Sequence, residues 1–192
     1  QDFKNAINTF ISISQNIVYG DRAGNIGLYC AAGIPIREGN PALILPGDTS
    51  MYDWTGIVPF ESLPYSYNPP EGFVASANNK TVGSDYPYYI SNWFELPNRY
   101  NRIVEMINAV DKHNVMTVKQ IQIDQHSSWA KKILPVVLPL VDKENEKVDG
   151  NTVFQSLKSW DYNCTVESTE ATLFEVFFKE MIRAIFADEL GE

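Results

Sequence analysis

The pattern of apolar and polar positions changes character near the middle of the chain. In the first half, short runs of apolar and β-branched residues are separated by turn residues, which is typical of strands. In the second half, apolar residues recur every three or four positions, which is typical of helices that bury one face. The sequence therefore predicts an α+β fold, with a β-rich segment at 1–96 and an α-helical region at 97–192.

The β-rich segment is predicted to begin with one short helix. Its predicted elements are a helix at 2–13, a hairpin at 16–36 with its turn at 22–25, and strands at 52–60 and 72–78. Gly24 and Asn25 can take the positive φ that the hairpin turn needs. Residues 37–71 are rich in proline and glycine and are predicted to be mostly loop. So few strands with so much loop favour a segment that belongs to a larger sheet.

The α-helical region is predicted to contain four helices. They are a helix marked by Ile103, Met106, Ile107 and Val110, a second from Thr117 to Leu134, a third at 151–160 and a fourth at 168–190. Thr117 and Gln120 fit a capping box that would start the second helix. Pro135 and Pro139 are expected to kink or end it. The fourth helix carries a wide apolar stripe, which must pack against a neighbour.

Composition excludes several classes of protein. Of the 192 residues, 44% are hydrophobic, which is enough for a globular core. The formal net charge is −9, and an acidic surface repels phosphate, so neither nucleic acid nor an anionic membrane is an expected partner. No apolar run approaches about 18 residues, so no membrane span is predicted. Cys30 and Cys164 allow one disulfide or none.

The common catalytic and metal-binding motifs are missing from the sequence. His113 and His126 lack the ligand spacing that zinc sites use, so a surface or helix-end role is favoured for each. The glycines of GDRAGNIG (20–27) match neither a Walker loop nor a dinucleotide-binding fingerprint. A GxSxG nucleophile motif is also absent.

Two consecutive asparagines, Asn78 and Asn79, end the predicted strand at 72–78 and begin the loop after it. Asparagine is a poor strand former and is costly to bury unless its amide is hydrogen-bonded. One interpretation is an Asx turn that closes the strand, and spacing alone favours it. The other is a rigidly held side-chain NH2 donor aimed at a developing oxyanion. The sequence pattern by itself leaves both open.

Four ordered stretches resemble the penicillin acylase (penicillin amidase) family. They are NIVYGDRAGNIGLYCAAGIPIR (16–37), LPGDTSMYDWTGIVPFESLP (45–64), NPPEGFVASANNKTVGSDYPYYIS (68–91) and NRYNRIVEMI (98–107). A later stretch, KSWDYN (158–163), echoes the family's WDG segment but departs from it at Tyr162 and Asn163. Members of the family are N-terminal-nucleophile hydrolases that cleave amides. The resemblance therefore implies that the β-rich half is part of an αββα core.

The same resemblance implies roles for individual residues. Asn78 falls where the family places the side-chain donor of its oxyanion hole, and Asn79 is the second choice within the pair. Arg102 falls where the family has an arginine that helps to orient this asparagine and the substrate. Gln15 falls near a position that lines the acyl-binding pocket.

The resemblance also bears on cofactors. No cofactor is required for this chemistry, and a structural calcium is the one metal that the family comparison raises. Pro41 falls where several members ligate calcium through a backbone carbonyl. The carboxylate that members offer after DYP is not clearly present, because residues 90–92 here are Ile-Ser-Asn. This departure argues against calcium.

The main feature of the family that this sequence lacks is the catalytic nucleophile. In the family it is a serine that becomes the first residue of the large chain, and its own α-amino group is the base. This chain begins with Gln1, so the resemblance implies the middle of a β subunit that has no amidase activity alone. The implied partners are a small-molecule amide substrate, the remainder of the β chain and the α chain of the same precursor. The implied location is the periplasm or the exterior of the cell.

Two alternatives to an enzyme remain open from the sequence. One is a non-catalytic ligand-binding or interaction module that retains the scaffold. The other is a helical interaction domain for which the β-rich half is only a platform. In both, Asn78 would have no part in chemistry.

Overall fold

The structure, a computed structural model, describes residues 1–144 and 151–191. It confirms the α+β prediction, because the strands lie in the first half and most of the helices in the second. The chain packs as two compact units, Gln1–Val104 and Glu105–Glu192. The domain boundary predicted between residues 96 and 97 stays a prediction.

The first unit contains one α-helix at its start and five strands. They are α1 (Asp2–Asn8), β1 (Gln15–Gly20), β2 (Ile26–Ala31), β3 (Pro35–Arg37), β4 (Trp54–Ile57) and β5 (Tyr65–Tyr67). The order β1-β2-β5 forms an antiparallel sheet, and β3 pairs with β4 in a second one. The predicted hairpin therefore exists as β1 and β2, with β3 turning away to a different sheet.

The turn of the β1–β2 hairpin is organised by one carboxylate. Asp21 accepts hydrogen bonds from the amides of Ala23 and Asn25 at 2.8 and 2.9 Å, and from Asn25 Nδ2 at 2.8 Å. Gly24 takes the positive φ of +86° that the turn requires. The hydrogen bonds from Asn25 lower the pKa of Asp21 to about 2. The turn is therefore held by the Asp21 carboxylate, and its hydrogen bonds favour the charged form of that group.

The two faces of the main sheet have different neighbours. Ile7 of α1 packs with Tyr29 and Ala31 of β2 in a buried cluster. Tyr29 also stacks on Tyr65, with ring centroids 5.0 Å apart. Because side chains alternate along a strand, the remaining positions of β1 and β2, such as Asn16, face the opposite side of the sheet.

The strand predicted at 72–78 is wrong. This segment forms no regular strand in the structure. Its two ends explain the failure, because Gly72 and Asn78 have positive φ values of +76° and +61°. Such backbone angles interrupt a ladder. The apolar run packs without pairing, and its residues from Phe73 to Ser76 are half-buried.

The helices begin at the end of the first unit. They are α2 (Asn98–Asn108), α3 (Val115–Gln122), α4 (Ser128–Glu144), α5 (Asn151–Ser159) and α6 (Thr169–Leu190). The single helix predicted from Thr117 to Leu134 is wrong, since α3 and α4 are separate. Asn114 caps α3 reciprocally with Thr117. Between the two helices, His126 pairs with Asn163 in an isolated bridge, so tertiary pairing competes there with helix.

Pro135 and Pro139 lie inside α4, which continues past both of them. Each proline removes a helix hydrogen bond at a cost of about 3 kcal/mol. Both prolines are on the exposed side of the helix, while Leu134 and Leu138 are buried in the core of the second unit. Burying each leucine contributes about 1.5–3 kcal/mol. Packing thus offsets the local preference. Of the two expected effects of the prolines, an end to the helix is wrong, and a kink stays a prediction.

The core of the second unit joins α4, α5 and α6. Its buried members are Ala130, Leu134, Leu138, Leu157, Trp160 and Phe174. The predicted apolar stripe of the last helix therefore does find a partner, through Phe174. Within the described residues, no helix has the length and hydrophobicity needed to cross a bilayer.

Candidate active site around Asn78

The backbone presents the side chain of Asn78 at the surface. Asn78 has a φ of +61°, a left-handed conformation that asparagine tolerates better than most residues. Its carbonyl accepts a hydrogen bond of 2.9 Å from the amide of Glu95. The preceding residue, Ala77, is buried, whereas Asn78 itself is exposed. The loop is thus anchored on both sides of an outward-pointing carboxamide.

One arginine fixes the orientation of that carboxamide. Arg99 Nη2 donates to Asn78 Oδ1 at 2.8 Å and to the carbonyl of Ala77 at 2.9 Å. A guanidinium can only donate, so the oxygen of Asn78 must face the arginine. The NH2 group is consequently on the other side, and it has no hydrogen-bond acceptor among the described residues. The geometry supplies an oriented and uncommitted donor.

The neighbouring asparagine is used differently. Asn79 Oδ1 accepts a hydrogen bond of 3.0 Å from the amide of Ala77, and its Nδ2 donates to the carbonyl of Lys80 at 3.2 Å. Both ends of its carboxamide are therefore engaged in the turn. The two interpretations of the pair divide between its members, with a local turn at Asn79 and a presented donor at Asn78.

Arg99 is the residue that sequence reasoning missed. The stretch NRYNRI contains two arginines three positions apart, and the resemblance points to the later one, Arg102. Arg102 lies further along α2 and has an interaction of its own, and its supporting role stays a prediction. A signal for Arg99 was available, because a cation in the first turn of a helix opposes the helix dipole. Such a placement favours a role beyond helix stability.

Arg99 also forms a weak ion pair with Glu95. Glu95 lies 3.9 Å from Arg99, and the two side chains are 59% and 52% exposed. Exposed pairs of this kind contribute about 0–1 kcal/mol. Arg99 is therefore held mainly by the loop oxygens that it bonds.

The other predicted site residues belong to different parts of the first unit. Gln15 is exposed at the first position of β1, opposite Ala31, and Pro41 is half-buried in the loop after β3. Within the described residues, no hydrogen bond joins either of them to Asn78. The described residues also contain no group of three or more His, Cys, Asp or Glu able to hold a metal. Both roles stay predictions.

A cavity of about 380 Å³ is lined in part by Asn79, the second asparagine of the pair. Leu28 and Ser66 of the sheet form one side of it, and the segment from Phe73 to Ala75 with Asn79 forms another. This cavity is on the face of the sheet that α1 does not cover, since Leu28 alternates with Tyr29 on β2. The Asn78 loop therefore belongs to the same face.

The sequence model of a protein family described as penicillin amidase matches residues 1–192. The chain belongs to that family. Membership confirms the resemblance drawn from the four ordered stretches. It places the loop of Asn78 and Arg99 within an acylase scaffold.

Curated members of the family cover most of the chain. Acyl-homoserine lactone acylase QuiP of Pseudomonas syringae pv. tomato is 31% identical over 196 residues, which is 94% of this chain and 23% of the relative. Penicillin acylase 2 proenzyme of Pseudomonas sp. (strain SE83) is 30% identical over 176 residues, with 91% and 22% covered. The chain thus spans under a quarter of the length of these relatives.

A solved structure shares the fold. Thermostable penicillin G acylase from Alcaligenes faecalis matches with a TM-score of 0.73 at 22% identity, over 100% of this chain and 36% of that chain. The match extends across both the strands and the helices. The α+β arrangement is therefore that of a segment of penicillin acylase.

Proposed function

We propose that this chain supplies the side-chain half of an oxyanion hole to an amidohydrolase of the penicillin acylase type. The observation that carries the proposal is the hydrogen bond from Arg99 to Asn78, which leaves Nδ2 of Asn78 oriented and uncommitted. Acyl transfer creates negative charge on the carbonyl oxygen of the substrate. A fixed NH2 donor stabilises that charge more than it stabilises the neutral ground state.

The arginine contributes to the strength of the donor as well as to its direction. Its positive charge lies against the oxygen of the Asn78 carboxamide. Polarisation of the amide toward that oxygen makes its N–H groups better donors.

The proposed reaction is cleavage of a small-molecule amide through an acyl-enzyme. A serine elsewhere in the protein attacks the carbonyl, and Asn78 binds the resulting oxyanion. The C–N bond then breaks and the amine leaves with the proton taken from the serine hydroxyl, after which water hydrolyses the acyl-enzyme to the carboxylic acid and restores the serine. Because relatives named as acylases are about four times as long, we propose that the 192 residues alone have no turnover.

The proposed partners are the remainder of a β chain and an α chain cut from one precursor. One relative is itself named a proenzyme. The proposed location is the periplasm or the exterior.

The test replaces the donor while keeping its acceptor. In the full-length protein, Asn78→Asp retains an oxygen for Arg99 and loses the NH2 group. We expect kcat for phenylacetyl or acyl-homoserine-lactone amides to fall by at least about 10²–10³. Asn78→Gly should lose a similar factor without strain at the positive φ. Unfolding midpoints should stay close to that of the unmodified protein.

Asn68→Asp is the matched control. Asn68 also has a positive φ, +47°, and its carboxamide is used structurally, on the amide of Ile26 and on Asn25. Its substitution should lower stability and leave kcat within about threefold. Full activity in folded Asn78→Asp would refute the proposal and favour a non-catalytic module.

A further inference from the structure

The loop that carries Asn78 is tied to the sheet by a side-chain hydrogen bond with no part in the proposed chemistry. Asn16 Nδ2 in β1 donates to Ser76 Oγ at 2.9 Å, across 60 residues of sequence. Ser76 lies two residues before Asn78. The bond therefore joins the oxyanion donor's loop to the strand at the edge of the main sheet.

The alternation of β1 explains why Asn16 reaches this loop. Ile17 and Tyr19 pack on the α1 side, where Tyr19 lies 4.5 Å from the ring of Phe3. Asn16 and Val18 consequently face the other side of the sheet. This is the side on which the Asn78 loop lies. A polar residue at that position is suited to hold the loop rather than to fill a core.

The loop has few other ties on this side. From Phe73 to Ser76, no backbone hydrogen bond is found within the described residues. The ties of the following part of the loop run to Glu95 and Arg99, which lie beyond it in the chain. The hydrogen bond of Asn16 thus holds the part of the loop that precedes Asn78. Arg99 holds Ala77 and Asn78 themselves.

We propose that Asn16 is a positioning residue for the oxyanion donor, acting through Ser76. The inference rests on the proposed function, because it concerns the placement of Asn78 Nδ2. A misplacement of about 1 Å can cost about 10²-fold in rate. Loss of the tie therefore reduces kcat. KM is largely preserved, since the oxyanion contact strengthens only in the transition state.

The experiment is a double-mutant cycle in the full-length protein. Asn16→Ala and Ser76→Ala should each lower kcat by about 10- to 100-fold, with KM changed by less than about threefold. The double variant should be no slower than the slower single variant, because both remove one interaction. Should Asn16→Ala fail to fold, Ser76→Ala carries the test, since it alters the loop and leaves the strand intact.

A conservative variant separates positioning from general stability. In Asn16→Asp, the hydroxyl of Ser76 can donate to the new carboxylate, so the link survives with its polarity reversed. We expect Asn16→Asp to regain at least about tenfold of the kcat that Asn16→Ala loses. Val18→Ala is the matched control, since Val18 is 61% exposed on the same face of β1. It should leave kcat unchanged.

The outcomes distinguish this inference from the proposed function. Loss of activity in Asn78→Asp together with unchanged kcat in Asn16→Ala and Ser76→Ala overturns only the positioning role. Full activity in Asn78→Asp overturns both. Equal loss in Asn16→Asp and Asn16→Ala, or additive losses in the double variant, also refutes a shared hydrogen bond. Non-additive losses with rescue by aspartate support it.

Discussion

Arg99 and Asn78 are joined by a hydrogen bond of 2.8 Å between a guanidinium nitrogen and a carboxamide oxygen. The bond connects the first turn of α2 to a loop residue 21 positions earlier. Since the same nitrogen also bonds the carbonyl of Ala77, the arginine holds both the backbone and the side chain of the donor. A consequence for each partner can be measured.

Loss of the arginine should reduce chemistry more than binding. We expect Arg99→Leu in the full-length protein to lower kcat by about 10²-fold, because the Asn78 carboxamide is then free to rotate. Arg102→Leu, measured beside it, tests the role that the family resemblance assigns to Arg102. Glu95→Gln is the control for the ion pair and should change the rate by less than about threefold. Steady-state kinetics on the folded variants would show which arginine supports Asn78.

Asn79→Asp should leave kcat nearly unchanged, whereas Asn78→Asp should lower it strongly. Asn79 uses its Oδ1 to accept from the Ala77 amide, and aspartate keeps that acceptor. Only the bond to the Lys80 carbonyl is lost, at a cost of about 1 kcal/mol. We expect kcat to stay within a few-fold and the free energy of unfolding to fall slightly. An inactive but folded Asn79→Asp protein would contradict the division of roles between the two asparagines.

The hairpin turn should make the free energy of unfolding depend on pH in the acidic range. The pKa of Asp21 is lowered to about 2, first by the side chain of Asn25. A carboxyl whose folded-state pKa is depressed adds stability above its unfolded pKa, near 3.9, and loses it as the pH falls toward 2. Asp21→Asn should therefore lower stability at pH 7 and flatten the decline between about pH 4 and pH 2.

Urea unfolding at several pH values would measure this effect. Asp48→Asn, at an exposed loop position, is the control and should leave the acid decline in place. If Asp21→Asn declined as steeply as the unmodified protein below pH 4, the turn would not be the source of the dependence.

Tyr162 offers a test of backbone strain. It has a φ of +66° at the place where the family's WDG segment has glycine, and its ring lies 5.6 Å from Trp160 and 6.0 Å from His126. Tyr162→Ala loses these ring contacts and keeps the strained φ, whereas Tyr162→Gly loses the contacts and relieves the strain. We expect the glycine variant to be the more stable of the two by about 1 kcal/mol.

Denaturant unfolding of a matched pair at Tyr100 supplies the control. Tyr100 lies within α2, where glycine is less favourable than alanine by about 1 kcal/mol. The order of stability should therefore reverse at Tyr100. The same order at both positions would contradict a left-handed backbone at Tyr162.

Features governed by neighbouring residues could be predicted well. The β1–β2 hairpin follows from its turn residues, because the Asp21 carboxylate accepts hydrogen bonds from the amides of Ala23 and Asn25 and from the side chain of Asn25. The last helix follows from an apolar stripe between Ser168, which caps it, and Gly191, which ends it. The order of family-like stretches predicted the acylase scaffold, which the family match confirms.

Features governed by contacts between residues far apart in the sequence could not be predicted from the sequence. The run 72–78 looks like a strand, yet it pairs with no described strand, and α4 continues through two prolines because buried leucines face the core of the second unit. The choice between Arg99 and Arg102 is of the same kind. Their sequence contexts are nearly equivalent, and only the position of α2 beside the loop brings Arg99 to Asn78.

The sequence alone therefore determined the α+β class, the hairpin, the helical second half and the resemblance to the penicillin amidase family. It did so because local backbone preferences and side-chain periodicity act over a few residues. The tertiary structure decided which asparagine is presented, which arginine orients it and which strand residue ties down its loop. These relationships join residues 21 and 60 positions apart, and distances between such residues are set by packing of the whole unit rather than by local pattern.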